Sequence, residues 1–212
     1  MSQPRTIAVL TGEVQSTFAP DPELVSQALD VLQKKAVSLE AWTDAPLMFT
    51  RQRGAGWQVA LHRPELALRA ALAFRTVLRA ADARFDSYIG VASGQIATPL
   101  GADLNAETSD AFVGSGAALD YVKGDQARRL ACHGDVTLEA ITTLADHISA
   151  RWSQAQAAAA LPFLTPGPLP SYTAVAKDLG KSLQAVTKAV DAAHVAPLTY
   201  ALMCLEEARR HP

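Results

Sequence analysis

The amino-acid sequence predicts an α+β fold in two parts, and three observations support that prediction. Hydrophobic patterns in residues 5–97 follow the order strand, helix, strand, strand, helix, strand. The stretch 161–171 is rich in proline, which is typical of a stiff linker. Beyond it, two short helical patterns are separated by Gly180. We therefore expect a ferredoxin-like βαββαβ domain in residues 1–160, with two helices on one face of an antiparallel sheet, and a small all-α domain in residues 172–212.

Composition limits the classes of protein to which the chain can belong. Hydrophobic residues make up 49% and charged residues 19% of the sequence, which indicates a folded globular protein. The formal net charge is −2, so contact with nucleic acid requires a local basic patch. Cys132 and Cys204 lie far apart and belong to no metal-ligand motif, which is typical of a reducing compartment. We find no signal-peptide pattern and no run of ~20 apolar residues, so we expect a cytoplasmic protein without a membrane partner.

The first strand is the continuous apolar run from Ile7 to Leu10, which predicts a strand buried on both faces. Gly12 and Glu13 follow it closely, so we expect the strand to end there. A carboxylate at the end of a buried strand lies at the sheet edge, over the next loop. That placement suits a metal or phosphate site, whereas the alternative is a solvated glutamate.

A helix and a hairpin come next. Asp21 is a suitable N-cap, and apolar residues from Val25 to Ala36 recur at helical spacing, with two lysines near the expected end of the helix. Short strands are predicted at 46–50 and Trp57–Leu61, on either side of a polar turn that contains glycine. They predict a β-hairpin beside the end of the first strand.

The second helix opens at Pro64 and buries alanine, phenylalanine and leucine side chains. Its arginines Arg69, Arg75 and Arg79 fall on other faces, and we expect them to be solvated. A strand follows from Phe85 to Ala92, which we expect to be broken at Gly94.

The rest of the first part is mainly helical. After a polar loop, Ser109 or Asp110 caps a third helix. A short strand is predicted at 128–132, and a helix at Val136–Ala150 with further helical character through the alanine run at 157–160.

The C-terminal part resembles a helix-turn-helix, the DNA-binding motif whose second helix enters the major groove. Helices are predicted at Thr173–Leu179 and Leu183–Ala193, with a last helix at Pro197–Arg210 that covers this module or pairs with a copy of itself. Small or apolar residues at the spacing of the motif hold the two helices together: Ala176, Gly180 and Val186.

The second helix of this pair is predicted to carry the DNA contacts. Gln184, Thr187 and Lys188 face outward, and glutamine and lysine side chains pair with bases or phosphates. Five Lys/Arg against four Asp/Glu from residue 171 onward give only a weak positive charge. The alternative is a helix pair used for dimerisation.

Four short stretches, taken in order, resemble a known family. They are GEVQS at 12–16, RGAGWQV at 53–59, IGVASGQI at 89–96 and AFVGSGAALDYVKG at 111–124. Together they resemble the palm domain of class III nucleotidyl cyclases, and more closely the SatD-like proteins, which join such a palm to a C-terminal helix-turn-helix. Active cyclases hold two metal ions with one carboxylate from the first strand and one from the hairpin.

Two departures from the family pattern bear on the chemistry. Glu13 stands where the family has the first aspartate, and Ala55 stands where it has the second. Alanine offers no oxygen to a metal such as Mg²⁺, and no spacing supports Asp44 as a substitute. The resemblance therefore implies a metal site that is degenerate, with Glu13 as its one remaining ligand.

The sequence thus predicts a cytoplasmic, homodimeric, DNA-binding regulator. Its palm would serve for dimerisation and as a platform that senses a ligand, with a nucleotide as the ligand considered. We assign no catalytic residue and expect no cofactor. The first alternative is a metal-dependent nucleotidyl cyclase or transferase that uses Glu13 and an unrecognised second ligand. The second is an interaction module that binds neither DNA nor nucleotide.

Overall fold

The computed structural model describes residues 5–16, 21–43, 47–101, 103–125 and 127–210. The secondary structure, 60% helix and 19% strand, confirms the α+β class. The first six regular elements follow the predicted order, apart from one 3₁₀ turn at Pro64–Leu66. The strands are β1 (Arg5–Ser16), β2 (Met48–Arg51), β3 (Gly56–Leu61), β4 (Phe85–Ile96) and β5 (Leu130–His133). The helices are α1 (Pro22–Thr43), α2 (Ala67–Ala81), α3 (Asp110–Gly124), α4 (Val136–Ser149), α5 (Gln154–Ala160), α6 (Tyr172–Leu179), α7 (Leu183–Ala192) and α8 (Val195–Arg210).

The strands form one mixed sheet in the order β2-β3-β1-β4-β5. The first four are antiparallel to their neighbours, as expected. β5, which matches the short strand predicted at 128–132, adds a fifth strand parallel to β4; this parallel pairing was not predicted. A parallel neighbour requires a crossover connection, and α3 supplies it.

Helices cover both faces of the sheet. Ala8 and Leu10 of β1 pack with α1 and α2 in the main core, whereas Ile7 and Val9 pack with α3 in a second cluster. The expectation of two helices on one face describes α1 and α2, but α3 closes the other face. Burial of both faces explains the unbroken apolar run of β1.

Close contact between α3 and β4 explains two glycines. A Cβ atom at Gly90 would lie 2.2 Å from the carbonyl oxygen of Ser115, and one at Gly94 would lie 2.9 Å from the backbone nitrogen of Ala111. The predicted break of the strand at Gly94 is wrong, because β4 runs on to Ile96, which pairs with Arg5. Here the missing side chain makes room for a helix, and the backbone stays extended.

Helix α1 begins as predicted and ends later. Asp21 Oδ1 accepts a hydrogen bond from the Glu23 backbone N–H at 2.9 Å. The helix continues beyond Ala36 to Thr43, since Leu39 and Trp42 extend its buried stripe. Lys35 therefore lies in the middle of the helix and not near its end.

The prediction that the arginines of α2 are solvated is wrong for Arg69 and Arg75, each of which is 2% exposed. Arg69 Nε and Nη2 donate to the two carboxylate oxygens of Glu206 on α8, at 2.5 and 3.0 Å. Arg75 donates to Asp86 on β4 and to Asp146 on α4. Buried guanidinium groups require such partners. Arg79 is 23% exposed and lies 3.9 Å from Asp86.

The Asp86 carboxyl shows the effect of this pairing on its pKa. Burial by itself would raise the pKa of Asp86, but the Arg75 guanidinium outweighs that effect and lowers it below the ordinary range. The carboxylate is therefore charged at neutral pH.

The proline-rich segment packs against the rest of the chain. Leu161–Leu164 forms a 3₁₀ turn, and Phe163 makes an edge-to-face contact with Tyr172 at 5.5 Å between ring centroids. Apolar residues of α6, α7 and α8 belong to the same core cluster as α2 and α5. The proposed boundary at 161–171 stays a prediction, and the core runs continuously across it. No helix in the described ranges is both long and apolar enough to span a bilayer.

Candidate functional sites

Glu13 lies within β1 and not at its end, so the expected position of this carboxylate is wrong. β1 continues to Ser16, and Glu13 pairs with Gly56 on one side and Tyr88 on the other. Its carboxylate accepts a hydrogen bond from the Nζ of Lys123 on α3 at 2.5 Å. Both side chains are about one-third exposed. An ammonium group thus already neutralises Glu13 at the point where a metal would bind.

The hairpin nevertheless lies beside Glu13, as expected. The backbone N–H of Val14 donates to the carbonyl of Ala55 at 3.0 Å. Ala55, the position at which the resemblance expects a second carboxylate, thus lies next to β1 and offers only a methyl group. Across the residues that the structure describes, no cluster of three His, Cys, Asp or Glu residues is placed to hold a metal ion. Asp44 lies outside the described residues.

The sheet face that carries Glu13 is closed by α3. Thr11, two residues earlier on that face, shares a buried hydrogen bond of 2.7 Å with Ser115, and Gln58 Nε2 donates to Thr11 at 3.1 Å. On the opposite face the Trp57 ring fills the space beside Gly12, where a Cβ atom would lie 2.2 Å from the ring. Protein therefore fills the sheet faces at Thr11 and Gly12, whereas the Glu13 side chain is about one-third exposed.

Cys132 on β5 is a free, half-buried cysteine. Burial, together with the carboxylates of Asp135 and Glu139, raises the pKa of its thiol to about 12. The thiolate form is therefore scarce at neutral pH, and nucleophilic chemistry is not supported at this position.

The helix pair α6–α7 has the local structure that the sequence predicts. Gly180 ends α6 in the left-handed conformation, with φ +60°, and Ser182 Oγ accepts the Ala185 backbone N–H at 3.2 Å. Val186 and Val190 are buried and hold α7 against its neighbours. Each turn and cap thus follows from the residue type at that position.

The outer face of α7 carries the residues predicted to contact DNA. Gln184 and Lys188 are exposed and Thr187 is half-buried. Lys177 and Lys181 on the adjoining segment are also exposed, and the described carboxylates form no ion pair with these lysines.

The arginines of α8 are already paired with acids. Arg209 forms an ion pair with Asp135, and Arg210 lies 3.5 Å from Glu207. The basic character of the C-terminal part therefore resides mainly in the lysines of α6, α7 and the turn between them.

One group of residues gave no signal in the sequence. Lys35, Arg63 and Arg210 come from distant positions, yet they line one cleft together with Trp42 and the proline-rich segment. Such a convergence depends on tertiary structure, since no two of these cations share a motif.

A scan against protein-family models finds no match for this chain, and searches of curated proteins and of solved structures find no similar protein. The structure therefore defines a class only: an α+β protein with a five-stranded mixed sheet and three C-terminal helices packed against its α2–α5 side.

Proposed function

We propose that this protein is a DNA-binding regulator in which a catalytically degenerate, cyclase-like palm carries a helix-turn-helix. The observation that carries the proposal is the exposed face of α7, on which Gln184, Thr187 and Lys188 lie together while Val186 and Val190 anchor the opposite face. An anchored helix with a polar outer face suits insertion into the major groove.

The strand order supports a ferredoxin-like palm. In the order β2, β3, β1, β4 each strand is antiparallel to its neighbour, and α1 and α2 lie on one face, which is the arrangement of a βαββαβ unit. The pairing of Glu13 with Lys123 and the methyl group of Ala55 both speak against two-metal chemistry. These features favour a SatD-like protein whose palm has lost turnover.

The residues of α7 suggest how DNA would be read. The Gln184 amide can pair bidentately with adenine, and the Lys188 ammonium can meet a guanine or a phosphate. The lysines of this region are few, so non-specific affinity is weak for one copy. We propose a homodimer, because a two-fold pair of helices reads two half-sites and doubles the phosphate contacts.

Binding of a pool of random duplexes, followed by fluorescence anisotropy at several salt concentrations, tests the proposal. Lys188→Ala should weaken binding to all sequences, whereas Gln184→Ala should relax the sequence preference by roughly 1–3 kcal/mol. Lys34→Ala removes the same charge from an exposed position of α1 and should leave binding unchanged. Salt-independent signals, or equal losses in the two lysine variants, would refute DNA reading by α7.

Two further measurements separate this function from its alternatives. Light scattering at micromolar concentration should give the mass of a dimer, and a monomer would contradict the proposed assembly. Incubation with ATP or GTP and Mg²⁺ or Mn²⁺ should yield no cyclic nucleotide. Product formation that Glu13→Ala abolishes would replace the regulator with a nucleotidyl cyclase.

A further inference from the structure

A cleft of about 610 Å³ lies between α1, the turn after β3, the proline-rich segment and the end of α8. Its lining residues are Lys35, Ser38, Ala41, Trp42, Arg63, Thr165, Pro166, Gly167 and Arg210. Clefts of this size commonly hold small-molecule ligands.

The charged side chains that line the cleft are basic, and the acids that pair with two of them, Glu65 and Glu207, lie outside its lining. Three of its lining residues, Lys35, Arg63 and Arg210, are cations, and none of the described lining residues is acidic. Basic side chains that line one cleft attract an anion to the space between them.

The three cations differ in how firmly they are held. Arg63 is oriented by Glu65, which accepts from Nε at 2.7 Å, and by the carbonyl of Trp42, which accepts from Nη1 at 3.1 Å. Arg210 is 43% exposed, and among the described residues its ion pair is with Glu207, at 3.5 Å. Both guanidinium groups can donate hydrogen bonds to the oxygens of a phosphate.

Lys35 is the most informative of these residues. Its Nζ lies 5.0 Å from the centre of the Trp42 ring, and it forms no ion pair with any described carboxylate. Burial lowers the pKa of this amine to about 8. Lys35 is half-buried and, unlike the buried Arg69 and Arg75, has no acid partner among the residues that the structure describes.

We propose that this cleft binds a phosphate-bearing small molecule, whose negative charge is held by Lys35, Arg63 and Arg210. The cleft is separate from the surroundings of Glu13. Arg63 follows the end of β3 where Leu61 pairs with Ala8, whereas Glu13 pairs with Gly56 at the other end of the same strand.

The walls of the cleft belong to both parts of the chain. Lys35 and Arg63 come from the sheet domain, Thr165 and Gly167 from the proline-rich segment, and Arg210 from the last helix. A bound anion would therefore fix the end of α8 to α1. If the C-terminal helices read DNA, the cleft is where a ligand would influence that reading, and this consequence rests on the proposed function.

Titration calorimetry with inorganic pyrophosphate, in a phosphate-free buffer, tests the binding site directly. We expect saturable binding with one site per chain, and at least a tenfold loss of affinity in Lys35→Met. Lys34→Met removes a neighbouring, exposed lysine of the same helix and should bind as the native chain does. Circular dichroism of both variants confirms that each is folded.

Absence of saturable binding overturns the proposal, and so does an equal loss in both lysine variants, which would indicate general attraction to surface charge. If the double variant Arg63→Gln, Lys35→Met still binds pyrophosphate with native affinity, the anion lies elsewhere and the proposal is also overturned. Anisotropy with DNA is measured separately on the same samples. A native chain that binds pyrophosphate but not DNA would refute the proposed function and would leave the proposed anion site unaffected.

Discussion

Substitution of Glu206 by alanine should destabilise the chain strongly, although Glu206 lies near the C-terminal end of the last helix. Glu206 and Arg69 are 6% and 3% exposed at their side chains, and two hydrogen bonds join them. Alanine would leave the Arg69 guanidinium buried beneath α8 without a counter-charge. This ion pair links α8 to α2, so the variant also tests whether the last helix docks on the sheet domain.

The expected magnitude follows from the burial of the pair. Removal of one partner of a buried ion pair costs about 3–5 kcal/mol, because the remaining charge stays desolvated. A domain of ordinary stability has roughly 5–15 kcal/mol in total, so the loss should be large in any unfolding experiment. Replacement of both residues, Arg69→Met with Glu206→Leu, should restore most of it, since well-packed apolar side chains leave no charge unpaired.

Urea unfolding followed by circular dichroism measures these differences, with the m-value reported for each variant. The matched control is Asp30→Ala. Asp30 contacts Arg51 at 2.6 Å but is 57% exposed, so its loss should cost below about 1 kcal/mol. Equal effects at Asp30 and Glu206 would refute the argument from burial. A Glu206→Ala variant that is as stable as the native chain would show that α8 does not dock on α2.

Three other predictions concern the sheet and α1. Lys35→Met should stabilise the chain at pH 7 by up to about 3 kcal/mol, because the pKa of this amine is about 8 in the folded chain and 10.5 in a free lysine. The gain in stability should vanish as the pH rises from 8 to 10.5, and thermal unfolding across that range measures it. Gly90→Ala should lower the free energy of unfolding in urea by at least about 1–3 kcal/mol, since the new Cβ atom would meet the α3 backbone. Gly116→Ala, with open space around it, should instead stabilise α3 by up to about 1 kcal/mol. Asp86→Asn should destabilise the chain above pH 4, and the difference should shrink in acid, because the native carboxylate, whose folded pKa is lowered, is itself protonated there.

Local patterns in the sequence predict most of the elements correctly. Continuous apolar residues mark β1, and a serine followed by a helical pattern marks the start of α7. Gly180 has the positive φ that a turn between two helices requires. These features depend on residues within a few positions of one another, so a single sequence contains the information.

The features that escaped prediction depend on residues far apart in the chain. Arg69 looks solvated by periodicity alone, because its partner Glu206 lies 137 positions away. Gly94 resembles a strand breaker, yet its role is to admit a helix that the chain forms later. Glu13 seemed to end a strand because glycine precedes it, whereas the pairing of β1 with β4 carries the strand on to Ser16. Long-range pairing overrides local preference at each of these positions.

If the C-terminal helices bind DNA and the cleft binds an anion, as proposed, α8 connects the two sites. Leu198 and Leu202 of this helix pack in the core with α7, Glu206 is fixed to α2, and Arg210 lines the basic cleft. An anion that binds only the folded chain stabilises it by about 2.7 kcal/mol at a hundred times its dissociation constant, whether or not any helix moves. It changes DNA affinity only if two arrangements of α8 differ in their affinity for the anion. The buried Arg69–Glu206 pair resists displacement of α8. The anion should therefore raise the free energy of unfolding by more than it changes the free energy of DNA binding.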